Sequence, residues 1–207
     1  MEGAVVTARD TMMANIKQAL GPAAEASREQ AGTGVPARTR GSAPQFSESL
    51  AALGGQVFEV ANIAEARERV DQVIAGRSFI ASAAPIVKAC GFATEFSREA
   101  CARAEIGITS ADFALADTGT LAFLSQARES RLISLLPPCH IAVIDRDKIL
   151  DSLDELFARV PYPAAQSSSL VLITGPSRTG DIEMRLVRGV HGPGEIIVIV
   201  VNNVTAS

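Results

Sequence analysis

The chain has 207 residues, enough for one medium domain or one domain with a modest extension, and enough to bury a core without disulfide or metal staples. Nineteen Lys and Arg against twenty-three Asp and Glu leave a net charge of −4, which gives no footprint for DNA or RNA, and no Trp, one Tyr (Tyr162) and eight Phe leave little for a base-stacking platform. Hydrophobic residues at 47% are too many for a disordered chain.

In chain order, Met12, Met13, Ile16, Ala19 and Leu20 share one helical face, and Gly21-Pro22 stops it, predicting a short N-terminal helix. Residues 21–45 lose the apolar period and read as a linker or arm. The division expected is therefore 1–45, helix and arm, and 46–207, the domain proper. Phe46, Leu50 and Leu53 make a helical stripe closed by Gly54-Gly55, and Val57, Phe58 and Val60 a short strand. Asn62 and Glu65 fit a capping box for a helix with Ile63, Ala66, Val70, Val73 and Ile74 inside, stopping at Gly76. Residues 78–82 read as a buried strand and 85–103 as helix, broken near Gly91. Two apolar runs, 113–116 and 121–124, flank Asp117-Thr118-Gly119-Thr120 and predict a β-hairpin. Residues 140–144 read as a buried strand entered through Pro137-Pro138, and 149–160 as a helix ended by Pro161. A strand over 170–174 is followed by a helix marked by Ile182, Leu186 and Val187 and stopped at Gly189, and residues 195–201 form a last strand. Strands alternating with helices predict an α/β fold with a mostly parallel sheet and one antiparallel hairpin.

Cys90, Cys101 and Cys139 are odd in number with no C-x-x-C pair, so no zinc or iron–sulfur ligand frame follows, and each reads as a small buried apolar residue in a reducing compartment. The first residues show no signal-peptide pattern, and the longest aliphatic run, 196–201, falls far short of the ~20 residues a bilayer span needs. These features predict a soluble, cytoplasmic protein with no membrane and no nucleic-acid partner.

Three stretches carry polar chemistry. In the first, the strand over 170–174 runs into Gly175-Pro-Ser-Arg-Thr-Gly180, where Ser177 or Thr179 would cap a helix. A helix start favours an anion, Arg178 offers a fork-shaped donor, and Gly175 and Gly180 allow close approach. Asp181 and Glu183 satisfy the same dipole in the alternative, a capped helix with an internal Arg–carboxylate pair. In the second, Thr118, Gly119 and Thr120 present hydroxyls and backbone to an anion with Asp117 as acid or base, or else Asp117 closes an Asx-type turn. In the third, Gly189-Val-His-Gly-Pro-Gly194 places His191 in a flexible-residue loop, as an acid/base group or as a loop-fixing ring. His140, at the start of an apolar strand, reads as structural, and Arg128 with Arg131 as a solvated polar patch. No H-E-x-x-H, P-loop, G-x-G-x-x-G or G-x-S-x-G pattern occurs, so no metal site is expected and the residues name no cofactor.

Taken together and in order, Ala116-Asp-Thr-Gly-Thr-Leu121, Arg131-Leu-Ile-Ser-Leu-Leu-Pro-Pro-Cys-His-Ile-Ala-Val143, Gly175-Pro-Ser-Arg-Thr-Gly-Asp-Ile-Glu183 and Gly189-Val-His-Gly-Pro193 resemble the LUD-domain family, in its lactate utilization protein C branch, from about residue 46 onward. The resemblance implies a NagB/RpiA/CoA-transferase-like fold, similar also to 5-formyltetrahydrofolate cyclo-ligase, with ligands at the carboxyl ends of the sheet strands. It implies a part in oxidising L-lactate to pyruvate beside iron–sulfur proteins that carry the electrons. The expected role is then an accessory or binding subunit taking an anionic small molecule through Thr118, Gly119, Thr120, Gly175, Ser177, Arg178, Thr179 and Gly180, with Asp117 and His191 as acid/base candidates. The alternative is a stand-alone enzyme on this fold, a CoA transferase with Asp117 or Glu183 as nucleophile, a sugar-phosphate isomerase, or a cyclo-ligase-like enzyme. The only lysines are Lys17, Lys88 and Lys148, none in either loop, which counts against a nucleotide-using ligase. A third reading is a structural or regulatory protein with no ligand, marked by a buried Asp117–Arg178 pair with no cavity around it.

Overall fold

The computed structural model describes residues 7–20, 41–125, 130–163, 167–182 and 185–204, with backbone alone at 10, 17, 20, 179–182 and 185–188. The chain divides into two compact units, 1–36 and 37–207. In the first, helix α1 (Ala8–Leu20) forms where the apolar stripe predicts it, with Met12, Met13 and Ile16 exposed. The expected arm over 21–40 lies outside the described residues.

The second unit opens with α2 (Ala43–Ala52), capped by Ser42 and carrying Phe46 and Leu50, both at 0% exposure. Strand β1 (Gln56–Asn62) leads to α3 (Ile63–Ile74). Asn62 Oδ1 accepts from the Glu65 amide at 3.0 Å, and Glu65 reaches back to the Ala61 amide at 2.8 Å, so the capping pair forms one residue wider than the sequence suggests. Strand β2 (Phe79–Ala81), short helices α4 (Pro85–Ala89) and α5 (Arg98–Arg103), and β3 (Ile106–Ser110) follow. The hairpin is β4 (Phe113–Leu115) and β5 (Thr120–Leu124). Helix α6 (Leu132–Leu135), β6 (Cys139–Asp145), β7 (Ile149–Leu150), α7 (Leu153–Arg159), β8 (Leu170–Ile173), β9 (Arg178–Ile182), β10 (Arg185–Arg188) and β11 (Glu195–Asn203) complete it.

The main sheet has the order β1-β11-β6-β3-β2, with every pairing parallel, so the expected α/β architecture with a mostly parallel, helix-flanked sheet is what forms. Its central strands are apolar on both faces, and the period of two sorts them. Cys139, Ile141 and Val143 of β6, with Ile197, Ile199 and Val201 of β11, pack with Ala66, Val70 and Ile74 of α3 and Val87 of α4. The alternate residues, Ala142, Ile144, Val198 and Val200, face Phe46 and Leu50 of α2 and Leu121 and Phe123 of β5. Each of these large side chains contributes roughly 1.5–3 kcal/mol by leaving water. A second sheet, β7-β4-β5-β8, supplies that opposing layer, and β9 and β10 pair as a separate antiparallel ribbon.

Two expectations are corrected and one strand is added. The helix predicted from Ile182, Leu186 and Val187 is the β9–β10 ribbon, because a spacing that fits a helical face over so few residues also fits two short strands, and Gly180 weakens a helix there. Ile149 and Leu150 are a strand pairing with Ala114 and Leu115, because Ser152 caps the helix only from Leu153. Strand β3 was not marked in the sequence, although Ile106-Gly-Ile-Thr alternates; its two-sided burial hides the period.

Candidate functional site

The Asp117–Thr120 turn is built against α2. Ser49 Oγ donates to the Ala116 carbonyl at 2.8 Å and to that of Asp117 at 3.3 Å. Gly119 has φ +65°, and a Cβ there would collide with the Leu50 amide nitrogen. Its lack of a side chain therefore lets the turn touch the chain's own helix. Asp117 Oδ1 accepts from Thr118 Oγ1 at 3.1 Å, not from the following backbone as an Asx-type turn would have it. Thr120, buried at 3% exposure, donates to Thr118 at 2.8 Å and shares a further 2.8 Å bond with Thr174.

The stretch after β8 meets the same helix. Gly175 has φ +81°, and a Cβ there would lie 2.9 Å from Leu53 Cβ. Arg178 Nη2 donates to the Leu53 carbonyl at the end of α2, a favourable place for a cation. Arg178 thus reaches α2 rather than Asp117, and the pair that would mark a structural protein does not form. Because Arg178, Thr179 and Gly180 lie in β9, no helix N-terminus exists here and no helix dipole favours an anion. Glu183 lies outside the described residues.

The third stretch folds onto the second. The Ser177 amide donates to the Pro193 carbonyl at 2.8 Å, and the Gly189 amide to the Ser177 carbonyl at 3.0 Å, stitching the Gly/Pro loop around Ser177. Between them, β8, the end of α6 and the start of β11 lies a cavity of about 230 Å³. Its polar lining is Ser134, Thr174, Ser177 and His191, and its apolar wall includes Leu135, Val171, Leu172 and Ile196. This leaves room for several waters or one small metabolite. Among the described residues neither Ser177 Oγ nor the His191 ring makes a hydrogen bond, and His191 is the sole ionisable lining residue. Ser134 and Thr174 were not singled out in the sequence, since nothing local distinguishes them. The cavity sits at the amino end of β11, so the expectation of a site at the carboxyl ends of the parallel strands is not met here.

Two other polar clusters are quieter. A cavity of about 340 Å³ at the amino ends of β3, β6 and β11 is lined by Arg77, Glu105, Cys139 and Glu195. Hydrogen bonds from Ser78 hold the Glu105 carboxyl below the usual range, and burial with the nearby Glu195 charge pushes the Cys139 thiol up to about 11, away from nucleophilic use. His140 is fully buried, with Nε2 2.8 Å from Thr109 Oγ1 and its ring 5.9 Å from that of Phe123. Burial, and then the Arg131 charge, lower its pKa to about 3. Arg131 stacks its guanidinium 4.6 Å over Phe123, so it is an internal group and not part of a solvated patch; Arg128 lies outside the described residues. Among the described residues no group of three metal-ligating side chains occurs, and no helix is long and apolar enough to cross a membrane.

A family model for the LUD domain matches residues 83–201. The lactate utilization protein C of Halalkalibacterium halodurans is 39% identical over 109 residues, 51% of this chain and 47% of that protein. That of Anoxybacillus flavithermus is 39% identical over 105 residues, 51% of this chain and 47% of that protein. The chain thus spans about half the length of the curated relatives it matches. Among solved structures, the crystal structure of a DUF162 family protein from Deinococcus radiodurans superposes with a TM-score of 0.60 at 23% identity, covering 76% of this chain and 94% of that one, which supports the fold. With more than half of its residues matched by the family model and its motifs in order, the chain belongs to the LUD-domain family.

Proposed function

We propose that the chain works in L-lactate utilization as an accessory, ligand-binding subunit in the cytoplasm, taking a small anionic metabolite in the cavity between Thr174, Ser177 and His191. The observation that carries this is that cavity, where two of the motif stretches close on each other and leave Ser177 and His191 with hydrogen-bonding capacity. The names of the relatives support the pathway. Cys90, Cys101 and Cys139 are all buried, and an iron–sulfur cluster ordinarily needs four cysteine ligands. We therefore assign electron transfer to iron–sulfur partner proteins. We assign residues 46–207 to the LUD domain and 1–45 to a helix and arm, with α2 straddling that point, since Ala43 packs in the core beside Phe46. Gly175, Ser177 and His191 are assigned ligand contact; Thr118, Gly119, Thr120, Arg178, Thr179 and Gly180 shape the loops around it. Among the described residues no carboxylate lines the cavity, which leaves the CoA-transferase reading without its carboxylate nucleophile there.

Calorimetric titration of the full chain with L-lactate, pyruvate and inorganic phosphate tests this reading. Saturable binding of one of them, weakened at least ten-fold in Ser177→Ala combined with His191→Ala, is the expected result. Equal binding by the double variant would sink the assignment of the cavity.

A further inference from the structure

Four side chains form a continuous hydrogen-bonded row from an exposed carboxylate to the cavity. Thr118 donates to Asp117 Oδ1 at 3.1 Å, Thr120 donates to Thr118 at 2.8 Å, and Thr174, on the cavity wall, lies 2.8 Å from Thr120. A hydroxyl has one proton to give, and an ionised carboxylate only accepts. Thr118 spends its proton on Asp117, so it can only accept from Thr120. Thr120 spends its own on Thr118, so it can only accept from Thr174. Thr174 in turn has no proton left for the cavity and offers it a lone pair. Each link also polarises the next, so the carboxylate charge strengthens that acceptor. Thr120 is buried, which keeps water from breaking the middle of the row.

We propose that Thr174 is a specificity-determining residue, its hydroxyl held as an acceptor by Asp117 through Thr118 and Thr120, so that the cavity selects a short acid bearing a hydrogen-bond donor beside its carboxylate. A 2-hydroxy acid donates to Thr174; the 2-oxo acid of the same shape turns a carbonyl lone pair toward another lone pair and is disfavoured. The carboxylate meets Ser177 and His191 on the far lining. The proposal rests on the reading of this cavity as a ligand site, and Asp117 acts in it as a positioning residue. A site that hydrogen-bonds one substrate group discriminates strongly against the isostere that lacks it.

The test compares three acids that differ only at C2: L-lactate, pyruvate and propionate, titrated into the full chain. The expected result is at least five-fold tighter binding of L-lactate than of the other two. Thr174→Ser keeps that preference and Thr174→Val cuts it below two-fold. Asp117→Asn lowers it as well, because an amide can donate to Thr118 and let the row run backwards. Binding of pyruvate or propionate as tight as L-lactate, with the cavity variants still weakening it, overturns the proposal and leaves the site standing. Failure of all three acids to bind overturns the proposal, and failure of inorganic phosphate as well overturns the site. The row is also readable without ligand: neutron diffraction from deuterated crystals is expected to place the Thr120 deuteron toward Thr118, and a deuteron facing Thr174 overturns the proposed polarity.

Discussion

His140 shows what a polar residue does when the fold gives it no water. It sits at 0% exposure on the central strand β6, with one ring nitrogen on Thr109 and the other, Nδ1, without a hydrogen-bond partner among the described residues. The protonated form is penalised first by burial and then by Arg131, so the native pKa falls from 6.5 to about 3. Below pH 6.5 the unfolded chain takes up a proton that the native chain refuses, so stability present above that pH is lost as pH falls toward 3, by at most about 1.4 kcal/mol per pH unit. Urea denaturation is expected to show the wild type losing roughly 2 kcal/mol more than His140→Gln between pH 7.5 and pH 5. Parallel losses in the two proteins would remove His140 as the cause.

Helix α2 is the element on which the polar turns converge. Ser49 holds the Asp117–Thr120 turn, Gly119 rests on the Leu50 amide, Gly175 on Leu53, and Arg178 binds the last carbonyl. Gly119→Ala is therefore expected to cost more than 2 kcal/mol, since it combines a left-handed backbone with a collision against helix backbone. Gly76 has φ +83° with nothing within 4 Å of an added Cβ, so Gly76→Ala isolates the backbone penalty alone, about 1 kcal/mol. Thermal or denaturant unfolding of the pair separates the two; equal losses would show that α2 gives way. These contacts also explain the limits of the sequence. The Asn62–Glu65 cap, the hairpin and the final strand were legible because each is decided by neighbours in the chain. The reasons for Gly119 and Gly175 were not, because their partners lie on α2, far earlier in the sequence, and a glycine that accommodates a helix looks like one that admits a ligand. The β9–β10 ribbon is hidden for a related reason: it has too few apolar residues to separate a period of two from 3.6. Of the site residues, Gly175, Ser177 and His191 meet at the cavity, while Thr174 and Ser134 join it through tertiary placement alone.

At the scale of the molecule, all four hydrophobic clusters are built from residues of the second unit, from Ala43 onward. Residues 37–207 are accordingly expected to fold by themselves and to melt in one cooperative transition by calorimetry, as single domains of this size commonly do. Two separated transitions would mean that the two sheets are independent bodies. The parallel sheet places sequence-distant strands side by side, β1 against β11 and β2 against β3, so closing it requires long loops to be drawn in before the contacts form.

The three cysteines acquire a use from where they sit. Each is a buried thiol with its pKa pushed upward, chiefly by burial, and each occupies a different part of the body: Cys90 behind α4, Cys101 within α5, Cys139 at the head of β6. A shielded, protonated thiol reacts with an alkylating reagent only while its shelter is open. The protein therefore carries three native stopwatches, and the order in which mass spectrometry finds them alkylated is the order in which the edge helices and the central strand come apart.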